Sequence, residues 1–155
     1  TLTFGIVNPD PQQVAQAVKI AQAESFIKSL PDGIDSHVAQ KGSNFSGGQK
    51  QRLSIARALV KPAHIYFFDD SFSALDYQTD ANLRRALKSY VRDSAVVIVA
   101  QRVATVMDAD QIIVLDEGKI VGKGTHSELM ETCSTYQEFA ASQGIGGEKN
   151  EQKNN

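Results

Sequence analysis

The sequence of 155 residues has little of several features that assign a protein class directly. Its one cysteine, Cys133, cannot form an internal disulfide, which indicates a reducing cytoplasmic setting. Its three histidines are scattered and match no metal-ligand pattern. No apolar run approaches the roughly 20 residues that cross a bilayer, so any membrane attachment is expected outside this stretch. A formal charge of -2 offers no basic surface for nucleic acid.

The composition is that of an ordinary globular domain. Apolar residues make up 41% and charged residues 22%, and the length suffices for one domain with a buried core. The end of the chain differs, because residues 142–155 are mostly Gly, Glu, Lys, Asn and Gln, too polar to offset the entropy of ordering. We therefore predict one domain over residues 1–141 and a disordered tail over 142–155.

Helical patterns dominate the first part of the chain. Residues 13–30 carry apolar side chains at helical spacing and predict one helix, whole or broken. A Pro-Asp-Gly turn at 31–33 and a polar stretch over 34–45 predict a surface loop. A second helix is predicted from Ser46 to just beyond Val60, where Pro62 ends it. Residues 8–61 thus form a predicted helical subdomain.

Strands and helices alternate in the remainder. The apolar runs 65–68 and 96–99 predict parallel strands buried on both faces, and residues 79–91 predict the helix that crosses between them. Residues 112–115 and 119–121 predict a hairpin, and residues 127–130 open a final helical segment. The fold class is therefore α/β, with the core sheet and C-terminal helices over about 62–141.

The start of the second helix has an unusual composition. Ser46 is a good N-cap, and Gln49 three residues later completes a capping box. Capping alone does not require the two adjacent glycines. Gly47 and Gly48 remove every Cβ from the first turn, which exposes backbone N–H groups to a phosphate at the positive end of the helix dipole.

Residues 45–59 resemble the LSGGQ signature of the ABC ATPase superfamily together with its usual continuation, and Phe45 replaces the more common leucine. The resemblance implies a P-loop NTPase-like α/β fold that binds ATP. It also implies a head-to-tail dimer in which the signature loop contacts the γ-phosphate of ATP on the opposite subunit. The residues carried over to that ATP-binding role are Ser46, Gly47, Gly48 and Gln49.

The carboxylates after the first predicted strand fit the same family. Residues 65–70 resemble the Walker B motif, which implies that Asp69 holds Mg²⁺ and that Asp70 occupies the position of the catalytic glutamate. The side chain of Asp70 is one methylene shorter than that of glutamate, which is about 1.5 Å of reach. Ser73 and Asp76 match the D-loop at the dimer interface. The residues alone leave open that one carboxylate caps a helix or pairs with a cation, and that Asp76 is simply an N-cap.

A second departure from the family's motifs lies after the predicted strand at residues 96–99. Residues 100–106 resemble the family's switch segment, but Gln101 replaces its catalytic histidine and cannot shuttle a proton near neutral pH. Asp70 and Gln101 belong to one composite site, whereas the intact signature loop belongs to the other. This division resembles the degenerate half of heterodimeric ABC exporters, with a different partner subunit that carries Glu and His.

Exporter membership implies a location and a partner. Residues 38–42 resemble the exporter-type loop that touches the transmembrane domain, which is expected in the same polypeptide at the cytoplasmic face of the membrane. The stretch lacks a G-x-x-x-x-G-K-[ST] loop, so the Walker A portion is absent and no ATPase activity is expected from this chain alone. A non-hydrolytic regulatory ATP-binding module is the main alternative. An ABC-type ATPase of DNA maintenance is disfavoured, since the sequence shows no sustained heptads.

Overall fold

The computed structural model describes residues 2–145, which divide into two compact units after Val99. The elements of the first unit are α1 (Pro11–Ile20), α2 (Glu24–Lys28), α3 (Gly47–Val60), β1 (Ile65–Asp69), α4 (Tyr77–Tyr90) and β2 (Ala95–Val99). Those of the second are α5 (Val103–Val106), β3 (Ile112–Asp116), β4 (Lys119–Gly124), α6 (His126–Thr132) and α7 (Ser134–Ser142). The described residues extend past the predicted domain end at 141 as far as Ile145. Residues 146–155 of the predicted tail lie outside the described residues.

The segment predicted as one helix, whole or broken, is two helices. Proline at the first position of α1 and the Asp10 carboxylate, which accepts from the Gln12 N–H at 2.9 Å, fix its start. The chain turns at Gln22, which has a left-handed φ of 55°. Ala21 and Ala23 on either side are fully buried, so the break brings backbone into the core.

Strands β1 and β2 are parallel, with Ile65 opposite Ala95 and Asp69 opposite Val99, as the sequence predicts. Only one face of this pair is covered. Tyr66 and Phe68 are buried, whereas Ile65 is 66% and Phe67 is 64% exposed. The prediction of strands buried on both faces is therefore wrong for the described residues, because the helices cover one face.

One core serves both the helices and the strands of the first unit. Helix α1 packs against α3 and α4, and the buried residues Ile55, Leu59 and Leu83 lie in the same cluster as Tyr66 and Phe68. The helical segment predicted over 8–61 thus shares its core with β1 and β2. This common core fixes α3 relative to the end of β1.

The second unit is built on the predicted antiparallel hairpin of β3 and β4. Glu117 and Gly118 both have left-handed φ values, 46° and 76°, as a tight hairpin turn requires. Helices α6 and α7 pack on the hairpin. Cys133 is buried against it, since a Cβ on Gly122 would lie 2.7 Å from Cys133 Sγ. The single cysteine is thus a packing residue of this unit.

A buried ion pair ties the start of α4 together. Asp80 is 4% exposed, and its Oδ1 lies 3.2 Å from Nε of Arg84 one turn later. We expect Asp80→Ala to lower the free energy of unfolding by about 3 kcal/mol, because it leaves the half-buried guanidinium without its carboxylate. Urea unfolding of Arg85→Ala, an exposed neighbour, provides the control and should differ from wild type by about 0.5 kcal/mol or less. An equal loss in both variants would contradict a structural role for the pair.

Candidate functional site

Helix α3 begins with the capping box that the sequence predicts. Ser46 Oγ accepts from the Gln49 N–H at 3.3 Å, and Gln49 Oε1 accepts from the Ser46 N–H at 2.9 Å. The N–H groups of Gly47 and Gly48 precede the first intrahelical hydrogen bond. A ligand that accepts hydrogen bonds can therefore reach them at the positive end of a helix that runs to Val60.

The two glycines meet different surroundings. A Cβ on Gly48 would lie 3.0 Å from the carbonyl oxygen of Ala74, whereas a Cβ on Gly47 would lie 3.6 Å from the Ala74 side chain. The first distance is too tight without a backbone shift, and the second is an ordinary contact. Glycine at position 48 thus lets the loop after β1 lie close against α3, a packing reason that adds to the phosphate argument.

This difference predicts opposite outcomes for two alanine substitutions. Gly48→Ala should lower the free energy of unfolding by about 1–2 kcal/mol, because the Ala74 backbone has to move. Gly47→Ala should leave it unchanged or raise it by up to about 1 kcal/mol, since alanine favours the helix. Denaturant unfolding measures both. Equal effects of the two substitutions would refute the close approach at Gly48.

The two carboxylates at the end of β1 have different environments. Asp69 is the last residue of the strand, and its exposed carboxylate is available at the carboxyl edge of the sheet. Asp70 turns out of the strand with a φ of 48°, and its N–H donates to the carbonyl of Val99 at 3.0 Å. Its carboxylate accepts a hydrogen bond from Ser73 Oγ at 3.0 Å. Asp70 is thus held through its backbone by the end of β2 and through its carboxylate by Ser73.

Asp76 acts as the N-cap of α4, one of the two roles that its sequence position leaves open. Its Oδ1 accepts from the Thr79 N–H at 2.9 Å. Hydrogen bonds from the side chain and the backbone of Thr79 lower the pKa of Asp76, and the positive charge of Arg52 adds to the effect. Capping does not exclude the interface role, which stays a prediction.

The lowered pKa of Asp76 gives a pH dependence with a definite sign. The stabilisation by this carboxylate is present above its unfolded pKa of about 3.9 and is lost as the pH falls through the lower folded value. The stability advantage of wild type over Asp76→Asn should therefore shrink as the pH is lowered from 6 to below 3. Thermal unfolding across that range measures it, and an advantage that is constant with pH would contradict the assignment.

Two arginine contacts connect the start of α3 to the break between α1 and α2. Arg52 donates to the carbonyl of Gln22 at 2.8 Å and to that of Gly48 at 3.4 Å, and its guanidinium lies 4.8 Å from the centre of the Phe26 ring. Burial lowers the pKa of Arg52, and the charge of Asp76 opposes that shift. Arg52 thereby ties α3 to the chain between α1 and α2 and to α2 itself.

In the second unit, Gln101 lies before α5 in an exposed turn. Its carbonyl accepts from Gln143 Nε2 at 2.9 Å, and Gln143 Oε1 accepts from the Val103 N–H at 2.8 Å. One amide side chain therefore holds the backbone on both sides of Arg102. Sequence reasoning missed Gln143 because the residue stands in the polar stretch assigned to the tail.

Gln51 is a second glutamine whose contacts sequence reasoning missed, although the residue stands in the motif continuation within residues 45–59. It lies on α3, and its side chain forms hydrogen bonds with Asp70, Ser73 and Ala74 in the loop after β1. Its position in the sequence carries no periodic or capping signal. Only its place directly after the signature residues could have drawn attention to it.

Comparison with known proteins shows which family the chain resembles. The family model described as ABC transporter matches residues 6–73. An ABC transporter ATP-binding protein of Mycobacterium tuberculosis is 49% identical over 134 residues, which are 86% of this chain and 23% of that protein. An ATP-dependent lipid A-core flippase of Francisella tularensis is 42% identical over 136 residues, or 87% of this chain and 22% of that protein.

A solved structure extends the likeness to the backbone. A bacterial Atm1-family ABC exporter with ATP bound superposes with a TM-score of 0.88 at 35% identity, covering 92% of this chain and 25% of that one. The fold is thus that of a P-loop NTPase-type α/β domain. The chain belongs to the ATP-binding domains of ABC transporters. It spans about a quarter of the length of these relatives.

Proposed function

We propose that this chain is part of the ATP-binding subunit of an ABC exporter and that its signature loop completes an ATP site on a second subunit. The observation that carries the proposal is the start of α3, where a capping box leaves the N–H groups of two glycines open to an anion. The likeness to an Atm1-family exporter and to a lipid A-core flippase supports the exporter assignment. Binding across a dimer would then couple ATP to transport.

The signature loop suits a terminal phosphate. Ser46 places its hydroxyl at the cap, and Gly47 and Gly48 offer backbone N–H groups with no side chain in the way. Gln49 folds back on Ser46 and keeps this turn in shape. These donors and the helix dipole would stabilise negative charge on the γ-phosphate of ATP held by the partner subunit.

Asp69 fits a role toward magnesium in the chain's own site. Mg²⁺ usually takes one or two carboxylates together with phosphate and water oxygens, and Asp69 supplies an exposed carboxylate at the sheet edge. When bound, the ion offsets charge on the phosphates. In the part of the chain that the structure describes, no group of three or more His, Cys, Asp or Glu residues is placed to hold a metal ion.

Asp70 and Gln101 make the chain's own site poor at hydrolysis in this proposal. Asp70 is shorter than glutamate, and its carboxylate is engaged by Ser73. Gln101 offers an amide but cannot accept and return a proton near neutral pH. The two subunits would therefore contribute differently to ATP hydrolysis. The partner would carry glutamate and histidine at the positions of Asp70 and Gln101. Ser73 and Asp76 would lie at the interface between the two.

The remaining parts of the proposal concern the longer protein. Within residues 2–145 no helix combines the length and apolar character that a membrane crossing needs. The transmembrane domain is proposed to belong to the same polypeptide, with the ATP-binding domain at the cytoplasmic face. Residues 1–155 contain no phosphate-binding G-x-x-x-x-G-K-[ST] loop, so this chain by itself should hydrolyse no ATP.

The proposed asymmetry is tested with the full-length subunit purified together with its partner. Replacing the partner's catalytic glutamate should abolish ATP turnover, whereas Asp70→Ala here should leave most of it, because Asp70 serves the site that hydrolyses poorly. Steady-state ATPase rates measure both. If Asp70→Ala abolishes turnover equally, this site hydrolyses ATP and the asymmetry is refuted. If the unmodified pair binds ATP without turnover, the regulatory module is favoured instead.

A further inference from the structure

The side chain of Gln51 joins α3, the helix that begins with the signature residues, to the loop that follows β1. Its Nε2 donates to the carbonyl of Asp70 at 3.1 Å and to Ser73 Oγ at 3.0 Å, and its Oε1 accepts from the Ala74 N–H at 2.9 Å. Ser73 Oγ also donates to the Asp70 carboxylate at 3.0 Å. One half-buried amide thus holds the loop at both ends and, through Ser73, the carboxylate of Asp70.

An amide side chain is suited to this bridge because it presents donor and acceptor groups side by side. Gln51 follows the signature turn on the same helix, and Ile55 and Leu59 of that helix are buried in the core. A displacement of the signature turn would therefore move Gln51 as part of the same helix. The loop would follow, since it is bound to the helix by three hydrogen bonds and by the tight contact at Gly48.

We propose that Gln51 is a positioning residue that couples the signature loop, which serves one ATP site, to Asp70 and Ser73, which serve the other. The inference rests on the proposed function. In this role Gln51 would make no contact with nucleotide. Its bridge sets the orientation of Asp70, whose left-handed φ of 48° is uncommon for a residue with a side chain. The same bridge fixes the distance between the signature turn and the loop after β1.

The test uses Gln51→Met in the full-length subunit with its partner. Methionine keeps the length and helix propensity of glutamine but forms none of the three hydrogen bonds. We expect kcat for ATP to fall about tenfold, because the signature turn, which in the proposal contacts the reacting phosphate of the partner's site, loses its link to the loop after β1, and small displacements around that phosphate are costly. KM for ATP should change by no more than about twofold, since no ground-state contact with nucleotide is lost.

Gln137→Ala provides a matched control. Gln137 also bridges two segments, with its Nε2 donating to the Met130 carbonyl at 2.9 Å, and it lies far along the sequence from Gln101, the proposed site residue of its own unit. Its loss should lower the thermal stability without changing kcat. A merely structural Gln51 would behave like this control. Unchanged turnover in Gln51→Met, or equal changes in kcat and KM, would overturn the proposal.

Amide hydrogen exchange makes the outcome independent of the proposed function. In the nucleotide-free full-length subunit, Gln51→Met should speed exchange of the Ala74 N–H about fivefold, the effect of one average hydrogen bond. Unchanged exchange would refute the bridge even if the protein is inactive. Faster exchange together with a wild-type pair that does not hydrolyse ATP would overturn both the coupling role and the proposed transport activity, while leaving the bridge in place.

Discussion

The close approach of residues 73–75 to the first turn of α3 is the contact on which the candidate site depends. The Ala74 carbonyl would lie 3.0 Å from a side chain at Gly48, and the Ala74 N–H is held by Gln51. Glycine at this position therefore serves packing as well as access for an anion. With a side chain here, the Ala74 carbonyl in the loop that carries Asp70 would have to move by a few tenths of an ångström away from α3.

Both departures from the family pattern lie beside a glutamine that holds their backbone. Gln51 binds the carbonyl of Asp70 in the first unit, and Gln143 binds the carbonyl of Gln101 in the second. In each case the other end of the same amide accepts a backbone N–H a few residues further along the chain. The two loops are thus each held by a glutamine amide that binds one backbone carbonyl and one backbone N–H.

Local patterns in the sequence predicted most of the elements, because each carries its own signal. The capping box at Ser46, the end of α3 before Pro62 and the parallel pair around α4 follow from rules that act over a few residues. The exposed face of β1 did not follow, because an apolar run such as 65–68 does not tell which faces find partners. Ile65 and Phe67 are apolar yet exposed, whereas Tyr66 and Phe68 in the same run are buried.

The sequence indicated the residues of the candidate site but not the hydrogen bonds that join them. Ser46, Asp69 and Asp76 lie at the ends of elements, where motif and position agree. Gln51 and Gln143 act through contacts across 19 to 42 positions in the chain, and no local pattern encodes such distances. Sequence reasoning also explained Gly48 by access for phosphate alone, because the neighbouring Ala74 carbonyl is a tertiary feature.

The most direct measurement is an ATP-dependent cross-link between Ser46→Cys of this chain and a cysteine placed in the phosphate-binding loop of the partner subunit. Ser46 stands at the open N-terminus of α3, and the native Cys133 is buried and should not compete. If the signature loop completes the partner's ATP site, the cross-link should form with ATP and not without nucleotide. A cross-link that never forms, or that forms equally without ATP, would contradict the claim that this signature loop completes a partner's ATP site.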